Sequence, residues 1–494
     1  MSVDRTPRAP GPGPEASSVR DIDDELAYAD LYTLRRQGVS AQALTDALLE
    51  RVERLDRAGS PTALRSVLAV SETAPAEARA RDERSSDARL HGIPVLVKDN
   101  IEVAGMPSTA GSTALAGRPP RADAPLVRRL REAGAIILGT TNLSEWANIR
   151  SARSTSGWSA VGGLTANPWA LDRSPGGSSS GSGAALAAGL APLAIGTETD
   201  GSITCPASLN GVTGIKPTVG SVPTQGIVPI SASQDSPGPM ARTVDDVALL
   251  LEVLMSRTGI VERVGRGITG LHIGVARTWR TGHPATDELF DWTVGRLVAA
   301  GTTVHDVAAA VPSAAVDEDE LTVLLCELVD GLAAYLPTRG DQGPQDLAEV
   351  IAYEKDHATV ELAHFGHDLF ERAAELGGSG TDAYRSARAR NLAWALGTCL
   401  EPAFAGIDAL VAPTYGPAWK SDLVLGGHPT VASPITTAPS IAGWPIATTP
   451  MGLVEDLPVG FGVIGRPGSE ALLLAVCRAV EQPARPTWRP PRRG

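Results

Sequence analysis

Apolar residues recur at helical spacing near the start of the chain. Positions 44, 48, 52 and 55 are leucine or valine, and Ser40 precedes them at the position of a helix N-cap. This pattern predicts a helix over 41–57 that buries one face, and a similar pattern predicts a helix over about 21–37.

Short unbroken apolar runs alternate with helical patterns along the rest of the chain. Residues 93–97 form such a run, which ends at Lys98. In the first half of the chain the pattern also predicts a helix that ends in a strand in "AGAIILGTTN", and a helix of small residues that leads into a strand over 184–196. In the second half it predicts strands in "GLHIGVA" and "TTVHDVA" around a helix at 285–300, strands at 408–412 and 458–464, and a last helix at about 469–481. Strands that alternate with helices predict an α/β fold, with a large, mixed and mainly parallel sheet surrounded by helices.

The organisation of the chain follows from where these patterns stop. Thr243 and Asp246 form a capping box ahead of an apolar helix over 244–256, and residues 317–400 are mostly helical and more charged. The two ends are rich in proline and lack periodicity, so residues 1–20 and 483–494 are predicted to be tails. We therefore expect one domain over 21–482 that contains a helical region at about 317–400.

Composition limits the classes of function. The charge of 43 − 56 = −13 argues against nucleic acid as a partner, because phosphate binding needs a clustered basic face. No run reaches the 18 apolar residues of a membrane span, and the first residues lack the apolar core of a secretory signal. The four cysteines are far apart and form no C-x-x-C pair, which indicates reduced thiols in a cytoplasmic protein rather than disulfides or a zinc site.

A stretch rich in serine and glycine, "SPGGSSSGSG" at 174–183, is the first candidate for chemistry. It contains a G-x-S-x-G match that would make Ser179 a nucleophile on a strand-to-helix turn. That motif also needs a histidine and an acid later in the chain, and the spacing of the later histidines assigns none of them. The stretch also lacks the lysine of a phosphate-binding loop, and a short flexible linker is the remaining alternative.

A second candidate lies downstream in "IGTETDGSITCP". Ser202 follows Asp200 and Gly201 at the end of an apolar run, and successive N–H groups in such a turn can bind an anion. A hydroxyl beside N–H donors is what hydrolysis of an amide requires. A lysine after an apolar run is usually an exposed residue at the end of a strand, and this is the alternative for Lys98. A buried lysine, however, can lose its proton and act as a base.

At these residues the sequence resembles the amidase signature family. The matching segments are "SPGGSSSGSGAALAAGLAPLAIGTETDGSITCPASLNGVTGIKPTVGSV", "GIPVLVKDNIEVAGMPSTAGS" upstream, and "SQDSPGPMARTVDDVALLLEVL" and "LPVGFGVIGRPGSEALLLAV" downstream. The likeness covers about 25–482, and it implies the amidase signature fold. Within the family the chain is most similar to bacterial peptide amidases, which remove the C-terminal amide of peptides.

The resemblance implies a Ser–cis-Ser–Lys triad. Carried over to this chain, the lysine is Lys98, the bridging serine is Ser178 after a cis bond from Gly177, and the nucleophile is Ser202. Ser179 then has a supporting role. The chain departs from the common family pattern at Ser180, Asp200 and Thr204, in the way that peptide amidases do.

Further residues are candidates at the same site. The backbone N–H groups of Thr199, Asp200, Gly201 and Ser202 are candidates for the oxyanion hole. Asn142, Ser144 and Trp146 lie near the substrate by resemblance, with packing at a strand end as the alternative. Asp235 is expected to organise its own turn.

The resemblance implies hydrolysis of a carboxamide to a carboxylate and ammonia, with no metal and no organic cofactor. The substrate would be a peptide or small-molecule amide, and a monomer and a homodimer both stay open. The alternatives are a broad aryl or alkyl amidase, a glutamine-amidotransferase A-type subunit, and a non-catalytic scaffold.

Overall fold

The structure is a computed structural model, and it describes residues 19–57, 59–84, 86–429, 431–481 and 489–491. Most of the two predicted tails therefore lies outside the described residues, although a helix already begins at Val19. Residues 489–491 have no regular secondary structure.

Eleven of the thirteen strands in the described residues form one sheet, in the order β1-β3-β2-β6-β8-β7-β12-β13-β11-β9-β10. Strands β4 and β5 form a separate pair. The strands are β1 (Val67–Val70), β2 (Pro94–Lys98), β3 (Ile136–Thr141), β4 (Trp158–Ser159), β5 (Gly163–Leu164), β6 (Leu193–Glu198), β7 (Thr213–Lys216), β8 (Ser236–Ala241), β9 (His272–Ala276), β10 (Thr303–Val307), β11 (Ala409–Pro413), β12 (Ile446–Val454) and β13 (Leu457–Ile464).

The prediction of a large mixed sheet within an α/β fold is confirmed. Strands β3, β2 and β6 are parallel to one another, and so are β11, β9 and β10. The strands that join these two groups pair antiparallel, as does β1 at the edge beside β3.

Helices surround the sheet. They are α1 (Val19–Tyr28), α2 (Leu31–Arg36), α3 (Ala41–Leu55), α4 (Ala74–Asp82), α5 (Pro125–Glu132), α6 (Ser180–Ala187), α7 (Thr204–Asn210), α8 (Val244–Met255), α9 (Ile260–Gly265), α10 (Pro284–Ala299), α11 (Ala314–Tyr335), α12 (Leu347–Asp356), α13 (Ala358–Glu361), α14 (Asp368–Leu376), α15 (Asp382–Leu392), α16 (Glu401–Ala403), α17 (Thr437–Ala442) and α18 (Glu470–Val480). Short 3-10 helices cover Glu145–Asn148, Arg277–Trp279 and Leu336–Arg339, and a π-helix covers Ala393–Leu400.

The two helix starts that were predicted from a capping side chain, at Ser40 and Thr243, are present in the structure. The hydroxyl of Ser40 accepts a hydrogen bond from the N–H of Ala43, and that of Thr243 accepts one from the N–H of Asp246. These bonds satisfy N–H groups that have no partner within their helix. The helix predicted over about 21–37 is instead two helices, because Asp30 caps a new start at α2.

The apolar pattern did not predict six of the described strands, which are β1, β4, β5, β7, β8 and β12. Four of them, β1, β4, β5 and β7, have four residues or fewer, and the other two contain proline. β8 includes Pro237, Gly238 and Pro239, and β12 includes Pro450 at a shift in register. Proline removes a donor from the ladder, so such runs do not read as strands inside a sheet.

The sheet brings two predicted strand ends together. β2 and β6 are parallel neighbours, with Val97 paired to Ile195, and both strands are fully buried. Parallel strands present their carboxyl ends at the same edge of a sheet, where ligands commonly bind. Lys98 and the residues after Ile195 therefore share one edge.

The predicted helical region at about 317–400 contains α11 to α15. Helix α11, with the turn that follows it to Arg339, is long and apolar enough to cross a membrane by length and composition. It packs instead against α14 and α15. Its buried Glu320 and Glu327 accept hydrogen bonds from Gln234 and Ser231, as expected for a helix inside a folded protein.

A matched pair of glycine substitutions tests the packing of the sheet. A Cβ on Gly238 in β8 would collide with the carbonyl oxygen of Ile215, whereas one on Gly295 in α10 meets open space. We expect Gly238→Ala to lower the free energy of unfolding by about 2 kcal/mol or more, and Gly295→Ala to raise it by about 0.5–1 kcal/mol. Chemical denaturation of both variants measures this; equal effects would contradict the described register.

Candidate active site

Lys98 ends β2 with a fully buried side chain. Its Nζ lies 2.8 Å from Oγ of Ser178 and 2.8 Å from Oγ1 of Thr197, and it donates to the carbonyl oxygen of Thr197 at 3.2 Å. The lysine predicted as the base and the predicted bridging serine are thus in direct contact.

Burial lowers the pKa of Lys98 to about 7. The nearby carboxyl groups of Asp235 and Glu198 act in the opposite direction and raise it, but the loss of hydration is the larger effect. Burial also raises the pKa of Asp235 to about 6. At neutral pH a large fraction of Lys98 is therefore an uncharged amine, which has a lone pair to accept a proton.

The partners of Lys98 decide where that lone pair points. A neutral amine has two N–H donors and one lone pair, and the carbonyl oxygen of Thr197 can only accept. Oγ1 of Thr197 also accepts a hydrogen bond from Asn100. When both Thr197 oxygens take the N–H groups of Lys98, the lone pair is left for the hydroxyl of Ser178.

The peptide bond between Gly177 and Ser178 is cis, as the resemblance implies. The loop is tightly enclosed: a Cβ on Gly176 would come within 3.0 Å of Cys205 and Pro206. The carbonyl oxygen of Ser178 accepts a hydrogen bond from the N–H of Ser144 at 3.1 Å. The orientation of Ser178 is therefore fixed from both sides of its backbone.

Ser179 joins the parts of the site through hydrogen bonds. Its hydroxyl donates to the carbonyl oxygen of Thr197 at 3.1 Å and accepts from the N–H of Thr197 at 3.2 Å. Its own N–H donates to the carbonyl oxygen of Ser202 at 3.1 Å. Ser179 is thus connected to β6, whose Thr197 contacts Lys98, and to the turn that carries Ser202.

Ser202 lies in the tight turn between β6 and α7. Glu198 holds this turn, because its carboxylate accepts hydrogen bonds from the N–H groups of Ile203 and Thr204 at 2.7 and 2.8 Å. Gly201 has a φ of +78°, a conformation that favours glycine. Among the described residues no hydrogen bond joins the hydroxyls of Ser202 and Ser178; such catalytic contacts commonly tighten only when substrate binds.

The backbone N–H groups of residues 199–202 donate no hydrogen bond to any described residue. Four successive unpaired N–H groups beside a serine hydroxyl can accept a developing negative charge. Asp200, which belongs to this turn, is half-buried; the loss of hydration raises its pKa to about 6, and the hydroxyl of Ser440 donates to it at 3.3 Å.

Asp235 organises its own turn, as predicted. One carboxylate oxygen accepts the N–H groups of Ile230 and Ser231 at 2.8 and 2.9 Å. The other accepts the hydroxyl of Thr199 at 2.6 Å. Asp235 therefore ties the 230–231 turn to the segment that carries the unpaired N–H groups.

A cavity of about 390 Å³ opens beside these residues. Asn100, Thr197 and Thr199 line it on the side of the site, and the segment 227–232 lines it with mainly apolar groups. Its volume is within the range of about 300–1,000 Å³ that is usual for small-molecule sites.

The three substrate-binding candidates from the sequence are buried away from this cavity. The amide of Asn142 bonds within the protein to Gly163 and Thr165, and the hydroxyl of Ser144 accepts the N–H of Gly157. The indole of Trp146 donates to Glu354 at 3.1 Å. These contacts support the alternative of packing at a strand end.

The neighbours of Trp146 form a buried cluster of charges. Glu145, Glu354 and Glu361 bring carboxylate oxygens within 4.8 Å of one another, a spacing that a metal ion can bridge. Arg150 lies among them, ion-paired to Glu145 and 3.9 Å from each of the other two. Its guanidinium supplies the positive charge that a metal would otherwise provide.

The sequence interpretation did not single out Thr197, Asn100 or Glu198. Each acts through a neighbour: Thr197 and Asn100 orient Lys98, and Glu198 holds the turn of Ser202. The sequence signal that could have identified Thr197 and Glu198 is their position at the end of an apolar strand, β6, which is parallel to the strand that ends at Lys98.

Comparisons with known proteins show the family of this chain. The family model described as Amidase matches residues 43–474. The chain is 31% identical to the A-type subunit of a glutamyl-tRNA(Gln) amidotransferase from Methanosarcina acetivorans, over 90% of this chain and 94% of that protein. It is 42% identical to the native peptide amidase from Stenotrophomonas maltophilia, with a TM-score of 0.85 over 94% of this chain and 98% of that one. An amidase family protein from Bacillus anthracis is 29% identical, with a TM-score of 0.82 over 96% and 94%.

The pKa of about 7 for Lys98 predicts how the reactivity of Ser202 depends on pH. A lysine that acts as the base must be the neutral amine, so we expect the rate at which a fluorophosphonate labels Ser202 to rise through pH 7 and level off at about pH 8 or above. Mass spectrometry of the labelled peptide measures that rate. Lys98→Ala should remove the rise, while Lys420→Ala, at an exposed lysine, should keep it; a flat profile in the unaltered protein would refute the assignment.

Proposed function

Because the chain belongs to the Amidase family, we propose that this amide hydrolase uses Lys98, Ser178 and Ser202 to convert a carboxamide to a carboxylate and ammonia. The observation that carries this proposal is the contact of 2.8 Å between the buried Lys98 amine and Ser178, on the loop that also bonds to the backbone of Ser202.

In the first half-reaction, neutral Lys98 takes a proton from Ser178 while Ser178 takes one from Ser202. Oγ of Ser202 forms a bond to the amide carbonyl carbon, and the carbonyl π electrons move to its oxygen. As the tetrahedral intermediate collapses, the C–N bond breaks and the proton returns through Ser178 to the leaving nitrogen. Ammonia departs and an ester remains on Ser202.

In the second half-reaction, water takes the place of ammonia. The same relay removes a proton from water, and the resulting hydroxide attacks the ester carbon. The C–O bond to Ser202 then breaks, the proton returns to Oγ of Ser202, and the product leaves as a carboxylic acid, which loses its proton to the solvent to become the carboxylate. Because the relay ends each half-reaction in its starting state, the cycle needs no further reactant.

The N–H groups of 199–202 form the oxyanion hole in this scheme. They have no partner among the described residues, so they are available when charge develops on the carbonyl oxygen. Only backbone atoms are used. Asp200 and Thr204 can therefore differ from the common family residues without loss of this interaction.

The substrate that we propose is the C-terminal amide of a short peptide. Support comes from the likeness to a peptide amidase, which is stronger than that to the other amidases compared above. The cavity beside Thr197 and Thr199 also extends beyond what a simple amide would occupy. A small-molecule aryl or alkyl amidase is the second candidate, because the 227–232 wall of the cavity is apolar.

A glutamine-hydrolysing subunit fits this cavity less well. Glutamine carries a carboxylate that a specific site must pair with a cation. The described residues that line the cavity include no lysine, arginine or histidine.

We also propose that the protein works in the reducing cytoplasm, because all four cysteines are free and buried. A monomer and a homodimer remain alternatives for its oligomeric state.

A panel of amides tests the reaction and its substrate. We expect ammonia release with C-terminally amidated dipeptides at a kcat/KM at least about tenfold above that with amino-acid amides or benzamide, because only a peptide fills the cavity. Faster turnover of benzamide would favour the small-molecule amidase. Glutaminase activity that appears only with added partner subunits would favour the amidotransferase, and no ammonia from any amide would refute the proposed reaction.

Three serine variants separate the relay from its support. Ser178→Ala and Ser202→Ala should each lower kcat by about 10³-fold or more, since each breaks the proton path. Ser179→Ala should lower kcat by about tenfold or less, because it removes one hydroxyl and leaves the N–H that bonds to Ser202. Steady-state kinetics measures these values, and an intact circular dichroism spectrum is the control for folding. A larger loss for Ser179→Ala than for Ser202→Ala would identify Ser179 as the nucleophile instead.

A further inference from the structure

Two chemically different groups of residues line the cavity beside the candidate site. Asn100, Thr197 and Thr199 lie at or just after the ends of β2 and β6 near Lys98, and Glu327, Asp330, Gly331, Ser379 and Tyr384 come from the helical region. Gly331 allows α11 to approach closely, because a Cβ there would be 3.0 Å from Pro229. The helical region thus supplies the wall opposite to the sheet.

The helical residues that line the cavity carry negative charge that no described residue pairs with a cation. Glu327 is buried, and its oxygens accept hydrogen bonds from Ser231, Ser233 and Tyr384, all of them neutral groups. Asp330 lies at the exposed rim; one of its oxygens is bonded to Ser379, while Oδ1 accepts no hydrogen bond from a described residue. Because a buried carboxylate such as Glu327 is normally matched by positive charge, this part of the lining is complementary to a cation.

Two residues that line the same cavity also have a polar atom without a partner. Oδ1 of Asn100 and Oγ of Ser236 make no hydrogen bond in the described structure, and both residues are at least 97% buried. Buried polar atoms in a folded protein are nearly always hydrogen-bonded. Unpaired ones beside a cavity are the atoms that the polar backbone of a ligand would satisfy.

We propose that this cavity selects short peptide amides with a free amino terminus: Glu327 and Asp330 bind the terminal ammonium group, and Asn100 and Ser236 bond to the peptide backbone between it and the scissile amide. The inference rests on the proposed hydrolysis at Ser202 and specifies its substrate class. An ammonium group has three N–H donors and no acceptor, which matches a site made of carboxylate oxygens.

The same charges act against other substrates. Acetylation of the amino terminus removes the positive charge, and succinylation replaces it with a carboxylate that Glu327 and Asp330 repel. No cationic residue of the described lining offsets that repulsion. The expected order of kcat/KM is therefore free amine, then acetylated, then succinylated.

The test uses glycyl-phenylalanine amide and its N-acetyl and N-succinyl derivatives, with ammonia release as the readout. We expect kcat/KM for the free amine to exceed that of the acetylated substrate at least fivefold, and that of the succinylated one more than 20-fold, which are about 1 and 1.8 kcal/mol at 1.4 kcal/mol per factor of ten. In Asp330→Asn the first ratio should fall about threefold or more. Glu288→Gln, an exposed carboxylate on α10 that does not line the cavity, is the control and should keep the ratio of the unaltered enzyme.

Binding to the Ser202→Ala variant separates this inference from the hydrolysis itself. Calorimetry should show tighter binding of glycyl-phenylalanine amide than of its acetylated derivative, and Asp330→Asn in the same background should reduce the difference. Equal binding of the two peptides, or a preference that survives in the Asp330→Asn and Glu327→Gln variants, would overturn the ammonium site even if the enzyme releases ammonia. A preserved binding preference with no ammonia from the unaltered enzyme would overturn the proposed hydrolysis and retain the site.

Discussion

The loss of hydration around the amine of Lys98 is the constraint on which the rest of the site depends. A fully buried lysine is stable in a protein only if it gives up its proton or meets strong acceptors, and here both conditions are arranged by β2 and β6. The two Thr197 oxygens orient the amine, and Ser178 receives its remaining contact. Without that burial the amine would be an ammonium ion at neutral pH, and the serines would have no base.

Close packing of small residues makes this arrangement rigid. Apart from Pro175, the Gly/Ser loop at 174–183 carries only hydrogen or hydroxymethyl side chains, and a Cβ on Gly181 would collide with the backbone of Ser66 and Asn142. The loop bonds through its backbone and hydroxyls to several separate segments, among them residues 142–144 and 195–197. Asn142 and Ser144 belong to this support, which explains why these two predicted substrate contacts do not line the cavity.

The sequence predicts the proposed catalytic residues more readily than the residues around them. Lys98, Ser178 and Ser202 could be named because strand ends and the Gly/Ser loop carry a local pattern and a family likeness. Thr197 could not, because its role depends on which strands are neighbours, and pairing between distant segments has no local signal. β8 and β12 were not predicted for a related reason. Whether a proline is compatible with a strand depends on which of its backbone groups the neighbouring strands pair with, and the sequence alone does not show that pairing. The position of Glu327 and Asp330 depends on how α11, far downstream of Ser202 in the chain, packs beside the 227–232 segment. The hydrophobic periodicity of the sequence does not predict such packing.

The close approach of α11 to the 227–232 segment has a consequence for how such an enzyme can change over generations. The reacting groups are carried by the sheet and the loops at its edge, while the opposite wall of the cavity comes from a separate stretch of helices. Chemistry and selectivity are thus encoded by different parts of the gene. Substitutions in the helices can alter which amide is accepted while the hydrolytic machinery is inherited intact, so descendants of one ancestor can acquire new substrates without evolving a new catalyst.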